Sequence, residues 1–333
     1  MYCFKKIRPI THRIGNSYDM RSVPRFKSYS IALEHLKHRS LLRLQGIDSA
    51  TFLQGLITND VKHFDQGSKS LYAMFLNASG RVFCDSLIYR EASTNSFLIE
   101  CDSDIVENLR RHLNLYRVRK QIDISISEYL VWAAFSPEIL EDSLCVTTKQ
   151  DEKIVTFCED PRSKHLGYRL IVNRGVQEEF IKKWCFPLTN IDNKIKYHEQ
   201  RYTLGIGEGI VDFPPGKCFP MECNCDFLHG ISFHKGCYIG QELTARTHHT
   251  GIIRKRLMPL AFEALIDQNL EDAEVSLVEG TVVGKLRGKA GRAGLGLLRI
   301  EKVIDKQRLI VGNKYFCTVY RPCWWPKEIH KNI

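Results

Sequence analysis

Beyond about residue 30 the hydrophobic and polar positions fall into short strand-like and helix-like patterns. LLRLQG (41–46) reads as a strand closed by Gly46. Asp48 then stands as a helix cap, with Phe52, Leu53, Leu56 and Ile57 on one helical face. LYAMFL (71–76) and RVFCDSLIYR (81–90) are β-prone runs around Asn77-Ala78-Ser79-Gly80, the pattern of a hairpin. FLIEC (97–101) is a further strand. Asp104 and Glu107 have the spacing of a capping box, opening a helix in which Ile105, Leu109, Leu113 and Tyr116 recur through about Arg119. IDISIS and YLVWAAF predict strands; VQEEFIKKW and KIKYHEQRYTLGI predict helices.

From about residue 257 the texture changes. TVVGKL, AGLGLL, RLIVG and YFCTVYRP are short apolar runs separated by glycine and polar turns, as in a small all-β barrel or sandwich. GKLRGKAGRAGLG lacks the Gly-Lys-Ser/Thr of a phosphate loop and predicts tight turns between barrel strands. The fold class is therefore α+β: layered antiparallel sheets with helices, rather than a strict strand–helix–strand repeat, plus a small C-terminal β-barrel. The boundary is placed near Pro259. This divides the chain into a leader (1–30), a principal module (31–258) and a barrel (259–333).

The chain has 333 residues and 44% hydrophobic content, enough for two parts with a sizeable core. The longest apolar run, 129 to 135, is far too short to span a bilayer. The net charge of +10 is unevenly placed. Residues 1 to 30 carry seven of the Lys and Arg (Lys5, Lys6, Arg8, Arg13, Arg21, Arg25, Lys27) and one acid, Asp19. Such a basic, acid-poor leader reads as a mitochondrial transit peptide, although Arg8-Pro9 and Pro24 interrupt a continuous helix. The competing reading is a basic arm for nucleic acid, which the scattered single charges and the absence of any RNA or DNA motif disfavour.

The twelve cysteines, in a long chain without a secretory signal, argue for reduced thiols rather than a disulfide scaffold. Cys218, Cys223 and Cys225 form a cluster, but Cys-x-Cys alone is a poor chelating pair. The densest candidate chemistry lies in KGCYIGQELTARTHHTGIIRKR (235–256). Gly236 and Gly240 allow a sharp turn around Cys237. Nearby Lys235 and Arg246 would favour its thiolate. His248 and His249 add nitrogen donors, and thiolate with imidazole suits zinc or iron–sulfur chemistry. One cysteine cannot hold a cluster, so a partner would have to donate the remaining thiolates. The alternatives are a buried, inert Cys237 and a Glu242 that only neutralises Arg246 across a helical turn.

At these residues the sequence resembles the YgfZ family, with Lys235, Gly236, Cys237, Tyr238, Gly240, Gln241 and Glu242 matching its Lys-Gly-Cys-Tyr/Phe-x-Gly-Gln-Glu signature. FLQGLITNDV (52–61), FLNASGRV (75–82) and PMECNCDFLHGISF (220–233) extend the resemblance to about residues 36 to 330. Within the family the sequence is most similar to the mitochondrial iron–sulfur cluster assembly factors, folate-binding relatives of the aminomethyltransferase (T-protein) of the glycine cleavage system. The resemblance implies a T-protein-like folate-binding module with a C-terminal barrel, a pocket for tetrahydrofolate, and maturation of [4Fe–4S] proteins in the mitochondrial matrix with A-type scaffold partners. It implies no nucleic-acid partner and no membrane span. Cys237 is then the functional thiol and a ligand to a transient Fe–S cluster shared with the partner. The implied folate-binding residues are Asn77, Arg81, Asp85, Glu208, Lys235, Gly236, Gln241, Glu242 and Arg246.

Two departures bear on catalysis. The aminomethyltransferases carry two adjacent aspartates where this chain has Cys84-Asp85, which leaves one carboxyl for proton transfer at a folate nitrogen. Their pterin-binding glutamate aligns with Gly207, and Glu208 follows one place later. A transferase-like binding protein fits this pattern better than a turnover enzyme, and folate-dependent aminomethyl transfer is the alternative function. Asp85 paired only with Arg81, and Glu208 facing solvent, are the corresponding inert readings.

Overall fold

A computed structural model describes residues 30–91, 95–136, 151–185, 194–304 and 308–327. The expected leader lies outside these residues apart from Ser30. Fifteen strands form among the described residues: β1 (Ala32–His35), β2 (Arg39–Gln45), β3 (Ser70–Leu76), β4 (Val82–Arg90), β5 (Ser96–Asp102), β6 (Asp123–Ser127), β7 (Leu130–Phe135), β8 (Ile154–Glu159), β9 (Tyr168–Val172), β10 (Lys255–Phe262), β11 (Glu274–Leu277), β12 (Val282–Ala290), β13 (Ala293–Arg299), β14 (Arg308–Val311) and β15 (Tyr315–Val319). Seven helices accompany them: α1 (Ser49–Gln54), α2 (Val106–Arg117), α3 (Glu178–Cys185), α4 (Tyr197–Leu204), α5 (Gly209–Asp212), α6 (Gln241–Thr250) and α7 (Ile300–Val303).

The strands make a five-stranded sheet in the order β3-β4-β5-β2-β6, a four-stranded sheet β1-β7-β9-β8, and a closed six-stranded barrel, β10-β13-β12-β11-β14-β15. The paired strands run antiparallel throughout. One face of the five-stranded sheet packs Leu42, Phe75, Ile88 and Ile99 with Leu53 of α1 and Leu109 and Leu113 of α2. Its other face shares a core with the four-stranded sheet, α4 and the barrel, through Leu41, Tyr72, Leu87, Val131, Tyr197, Leu257 and Leu295. This is an α+β fold with a C-terminal barrel, because each sheet buries both faces only by stacking against helices or a neighbouring sheet.

Local details depart from the sequence pattern where a tertiary partner competes. Asp48 stands at the N-cap of α1 but makes no side-chain cap; its carboxylate accepts the backbone N–H of Gln121 instead. The capping box of Asp104 and Glu107 does not form. Ile105 is the N-cap of α2, and Asp102 accepts the N–H groups of Asp104 and Ile210. α2 ends at Arg117 rather than Arg119, since Val118 has φ +44°. The glycine-rich run 284–296 is mostly strand, in β12 and β13, rather than a series of turns. A Cβ on Gly288 would lie 2.2 Å from the Tyr202 hydroxyl, so the bare backbone is what lets α4 lie on the barrel. Pro259 sits inside β10, whose pairing with β13 already begins at Lys255.

Candidate functional site

The hairpin of β3 and β4 builds the first half of the site. Asn77 shapes its tip: Oδ1 accepts the Ser79 N–H, the Ser79 hydroxyl and the Arg81 N–H at 3.1, 2.8 and 3.0 Å. Arg81 does not pair with Asp85. Its guanidinium lies over the Phe219 ring at 4.4 Å. The tip rests directly on the start of α6. Gly240 has φ +77°, and a Cβ there would meet the Asn77 carbonyl oxygen at 2.5 Å and the Gly80 Cα at 3.0 Å. Gly240→Val should therefore separate tip from helix and destabilise the protein by about 1–3 kcal/mol from the backbone conformation alone, before any steric term. Urea unfolding checks this; an unchanged midpoint would mean that the contact does not constrain the turn.

The turn between tip and helix carries Cys237. Lys235 is not beside solvent as a free cation. Its Nζ donates to the carbonyls of Gln54, Ile57 and Asn59, each at 2.7 Å, and lies 4.9 Å from the Tyr238 ring centroid. Burial pushes its pKa down to about 8, with Asp60 acting the other way. Three carbonyl acceptors thus fix the turn to the segment after α1, and this anchoring takes up the ammonium expected to face folate or the thiol. Gln241 closes the other side by accepting the Tyr238 N–H at 3.0 Å. Between these clamps Gly236 and Cys237 are exposed, and nothing lies within 4 Å of a Cβ built on Gly236.

Of the described cysteines, Cys237 and Cys323 are exposed and the other eight are buried. Cys218, Cys223 and Cys225 belong to the central core as packed thiols. No group of three or more His, Cys, Asp or Glu among the described residues has the arrangement of a metal site. Glu242 and Arg246 are exposed on α6 and, among the described residues, form no ion pair with each other. His248 and His249 lie on the same helix rather than an extended segment. His248 stacks on Phe233 at 3.6 Å, and both histidines remain exposed.

The other two predicted acids are elsewhere, deep in the molecule. Glu208 does not face solvent. One of its oxygens is held by Arg169 Nη2 at 2.6 Å, Arg162 Nη1 at 2.8 Å and the Tyr197 hydroxyl at 2.9 Å. The other faces His38 Nε2 at 3.1 Å and Arg201 Nε at 3.7 Å. Asp85 Oδ1 accepts the Gly209 N–H at 2.9 Å, and Oδ2 lies 3.4 Å from Arg39. Arg39 also reaches Glu100, Arg162 and Arg169 reach Asp160, and Arg201 reaches Asp212. Four arginines and five carboxylates are buried together in this cluster.

The two acids respond oppositely. Burial alone would raise Glu208, but Arg169, Arg39, Arg162 and Arg201 outweigh it and hold the carboxyl well below its usual range. Burial raises Asp85, and Glu208 adds to that against the pull of Arg39. Three donors fill Oε2, His38 and Arg201 cover Oε1, and Glu208 is 3% exposed, so a pterin could reach this carboxylate only by displacing one of these partners. The buried residues therefore do not fit a pterin held through Glu208.

Sequence reasoning missed Arg39, Arg162, Arg169 and Arg201. Arg39 and Arg169 lie in strands, Arg162 in a loop and Arg201 in α4, positions where arginine normally meets solvent, and pairing with buried carboxylates, some near in sequence and others distant, allows their burial.

The chain's residues 254–327 match the family model of the CAF17 C-terminal beta-barrel domain. Over 311 residues it is 37% identical to the human protein named iron-sulfur cluster assembly factor IBA57, mitochondrial, covering 87% of this chain and 84% of that protein. It is 31% identical to the Dictyostelium discoideum homologue of the same name, covering 84% and 74%. Among solved structures it resembles the glycine cleavage system aminomethyltransferase T from Bartonella henselae, with a TM-score of 0.68, 13% identity and coverage of 90% and 87%.

Proposed function

Because the chain belongs to the family of the mitochondrial iron–sulfur cluster assembly factor IBA57, we propose that it assembles iron–sulfur clusters in the mitochondrial matrix, with Cys237 as the ligand it contributes. The observation that carries this reading is the exposed Cys237 on a turn fixed from both sides by Lys235 and Gln241. Iron in a cluster prefers thiolate ligands. A cluster passing between two proteins needs a thiolate reachable from outside, on backbone that does not have to reorder when the partner arrives. Cys237 supplies one such ligand, and the partner supplies the others. The open space at Gly236 leaves room for the partner's approach.

An A-type scaffold protein is the partner class that this division of ligands suits, and [4Fe–4S] proteins are the proposed recipients. Depleting the protein from cells should lower aconitase activity and protein lipoylation while [2Fe–2S] proteins persist. An equal loss of both cluster types would contradict that placement.

Tetrahydrofolate is assigned no step, since Glu208 is engaged within the arginine cluster and the side chains of Asn77 and Lys235 serve the turn itself. Aminomethyl transfer finds correspondingly little support. Asp85 is 1% exposed, bonded to Gly209 and near Arg39, and is not placed to exchange a proton with a bound substrate.

A further inference from the structure

The C-terminal end of α2 has a solvent face unlike that of an ordinary surface helix. Val106, Leu109 and Leu113 form its buried stripe. On the opposite side Leu115 is 78% exposed; Val118, just past the helix, is 80% exposed, and Tyr116, on the flank of the stripe against His112, 40%. Ile47, 71% exposed, belongs to the same corner. Its neighbour Gly46 approaches the backbone of Gln121 and Ile122, and its neighbour Asp48 accepts the Gln121 N–H. Arg111, Arg117, Arg119 and Lys120 are interleaved with these apolar side chains and exposed. Residues 108 to 122 contain five cations and no acid. Arg110 reaches back to Glu107 and Lys120 to Asp48, whereas no carboxylate among the described residues pairs with Arg111, Arg117 or Arg119.

Val118 adds a second, independent observation. A β-branched residue at φ +44° is a backbone outlier. The conformation lifts an apolar side chain into water, where no described contact offsets the strain. Cations after a helix also favour its dipole, which accounts for Arg117 and Lys120. That effect explains neither the exposed Leu115 nor the strained Val118.

We propose that this corner, Ile47 with Leu115–Lys120, is a docking site for an anionic lipid surface, independent of the Cys237 turn. At 71–80% exposure Ile47, Leu115 and Val118 stand out from the surface rather than line a groove. Protruding apolar side chains ringed by Arg and Lys match the interfacial region of a bilayer: the apolar groups enter the acyl boundary and the cations meet lipid phosphates. An acidic protein segment would satisfy the cations but would leave such protruding side chains without a cavity to fill.

The test is flotation of the full chain with vesicles of phosphatidylcholine alone or with cardiolipin, at low and high salt. The basic residues 1 to 30 are common to every protein compared, so the difference between variants reports the corner. Wild type should float with cardiolipin vesicles at low salt and release as salt is raised. Arg117→Glu/Arg119→Glu should weaken partitioning by roughly twentyfold or more, each surface cation being worth about fivefold. Leu115→Ser/Val118→Ser should weaken it at both salt concentrations. Cys237→Ser should float as wild type does, which separates this proposal from the role of the thiol. Equal flotation of wild type and both double variants would overturn it. So would failure of wild type to float with cardiolipin vesicles at low salt. Matched thermal unfolding of the variants excludes misfolding as the cause.

Discussion

Glu208→Gln is expected to destabilise the protein by about 3–5 kcal/mol, because removing one charge from a buried ionic cluster leaves its partners uncompensated. Asp85→Asn, in the same cluster, should cost about 1 kcal/mol or less. The contrast follows from charge balance. The cluster holds four arginines and five carboxylates, so one acid can be neutral without leaving an arginine unpaired. Asp85 is the acid whose pKa is raised, by burial and then by Glu208. An asparagine there keeps the acceptor for the Gly209 N–H. Glu208 is shared by Arg162, Arg169 and Arg201, so its loss unbalances three cations at once.

The same reasoning sets the pH dependence. Glu208 and Asp160 have depressed carboxyls: burial opposes both, but the arginines prevail. Their stabilising contribution is present above the ordinary carboxylate range and is lost as pH falls toward their folded-state values. Asp85 has the opposite sign and becomes relatively favourable as acid is added. Wild-type stability should therefore hold through mildly acidic solution and decline below about pH 4.5, the ordinary glutamate value. The decline should be shallower in Glu208→Gln. Urea unfolding of the two variants between neutral pH and pH 4 tests both statements. Equal costs for Asp85→Asn and Glu208→Gln would show that the cluster is not balanced in this way.

Much of the scaffold was legible because its signals are local. The hairpin around Asn77–Gly80 follows from two β-prone runs and a turn, and the barrel from short apolar runs at close spacing. The turn at Cys237 was legible for a different reason: two glycines with a thiol between them leave few ways for the chain to run, and the matched signature is specific. What failed were the assignments that depend on long-range partners. Lys235 looked like a free cation near a thiol, but its acceptors lie 176 to 181 residues earlier. Asp104 and Glu107 had the spacing of a capping box, but Asp102 took the N–H groups instead. Arg169 in the strand Tyr168–Val172 gave no sign of burial, since two of its three carboxylate partners, Glu100 and Glu208, come from β5 and the N-cap of α5.

The second large effect concerns Cys237. Serine keeps the size and exposure of the side chain but gives iron an alkoxide precursor that stays protonated near neutral pH in place of a thiolate. Cys237→Ser should leave folding unchanged, because the side chain is exposed and the clamps of Lys235 and Gln241 remain. It should nevertheless reduce [4Fe–4S] maturation in depleted cells to background. Cys323→Ser, at the other exposed thiol, should restore maturation fully. The pair separates a ligand role from a general sensitivity to thiol loss.

The most direct measurement is anaerobic mixing of the purified protein with an A-type scaffold carrying a [2Fe–2S] cluster, followed by gel filtration with visible circular dichroism of the eluted complex. The account predicts that wild type co-elutes with the scaffold and changes the cluster spectrum, and that Cys237→Ser does neither. A Cys237→Ser protein that forms the same cluster-bearing complex with the same spectrum would contradict it.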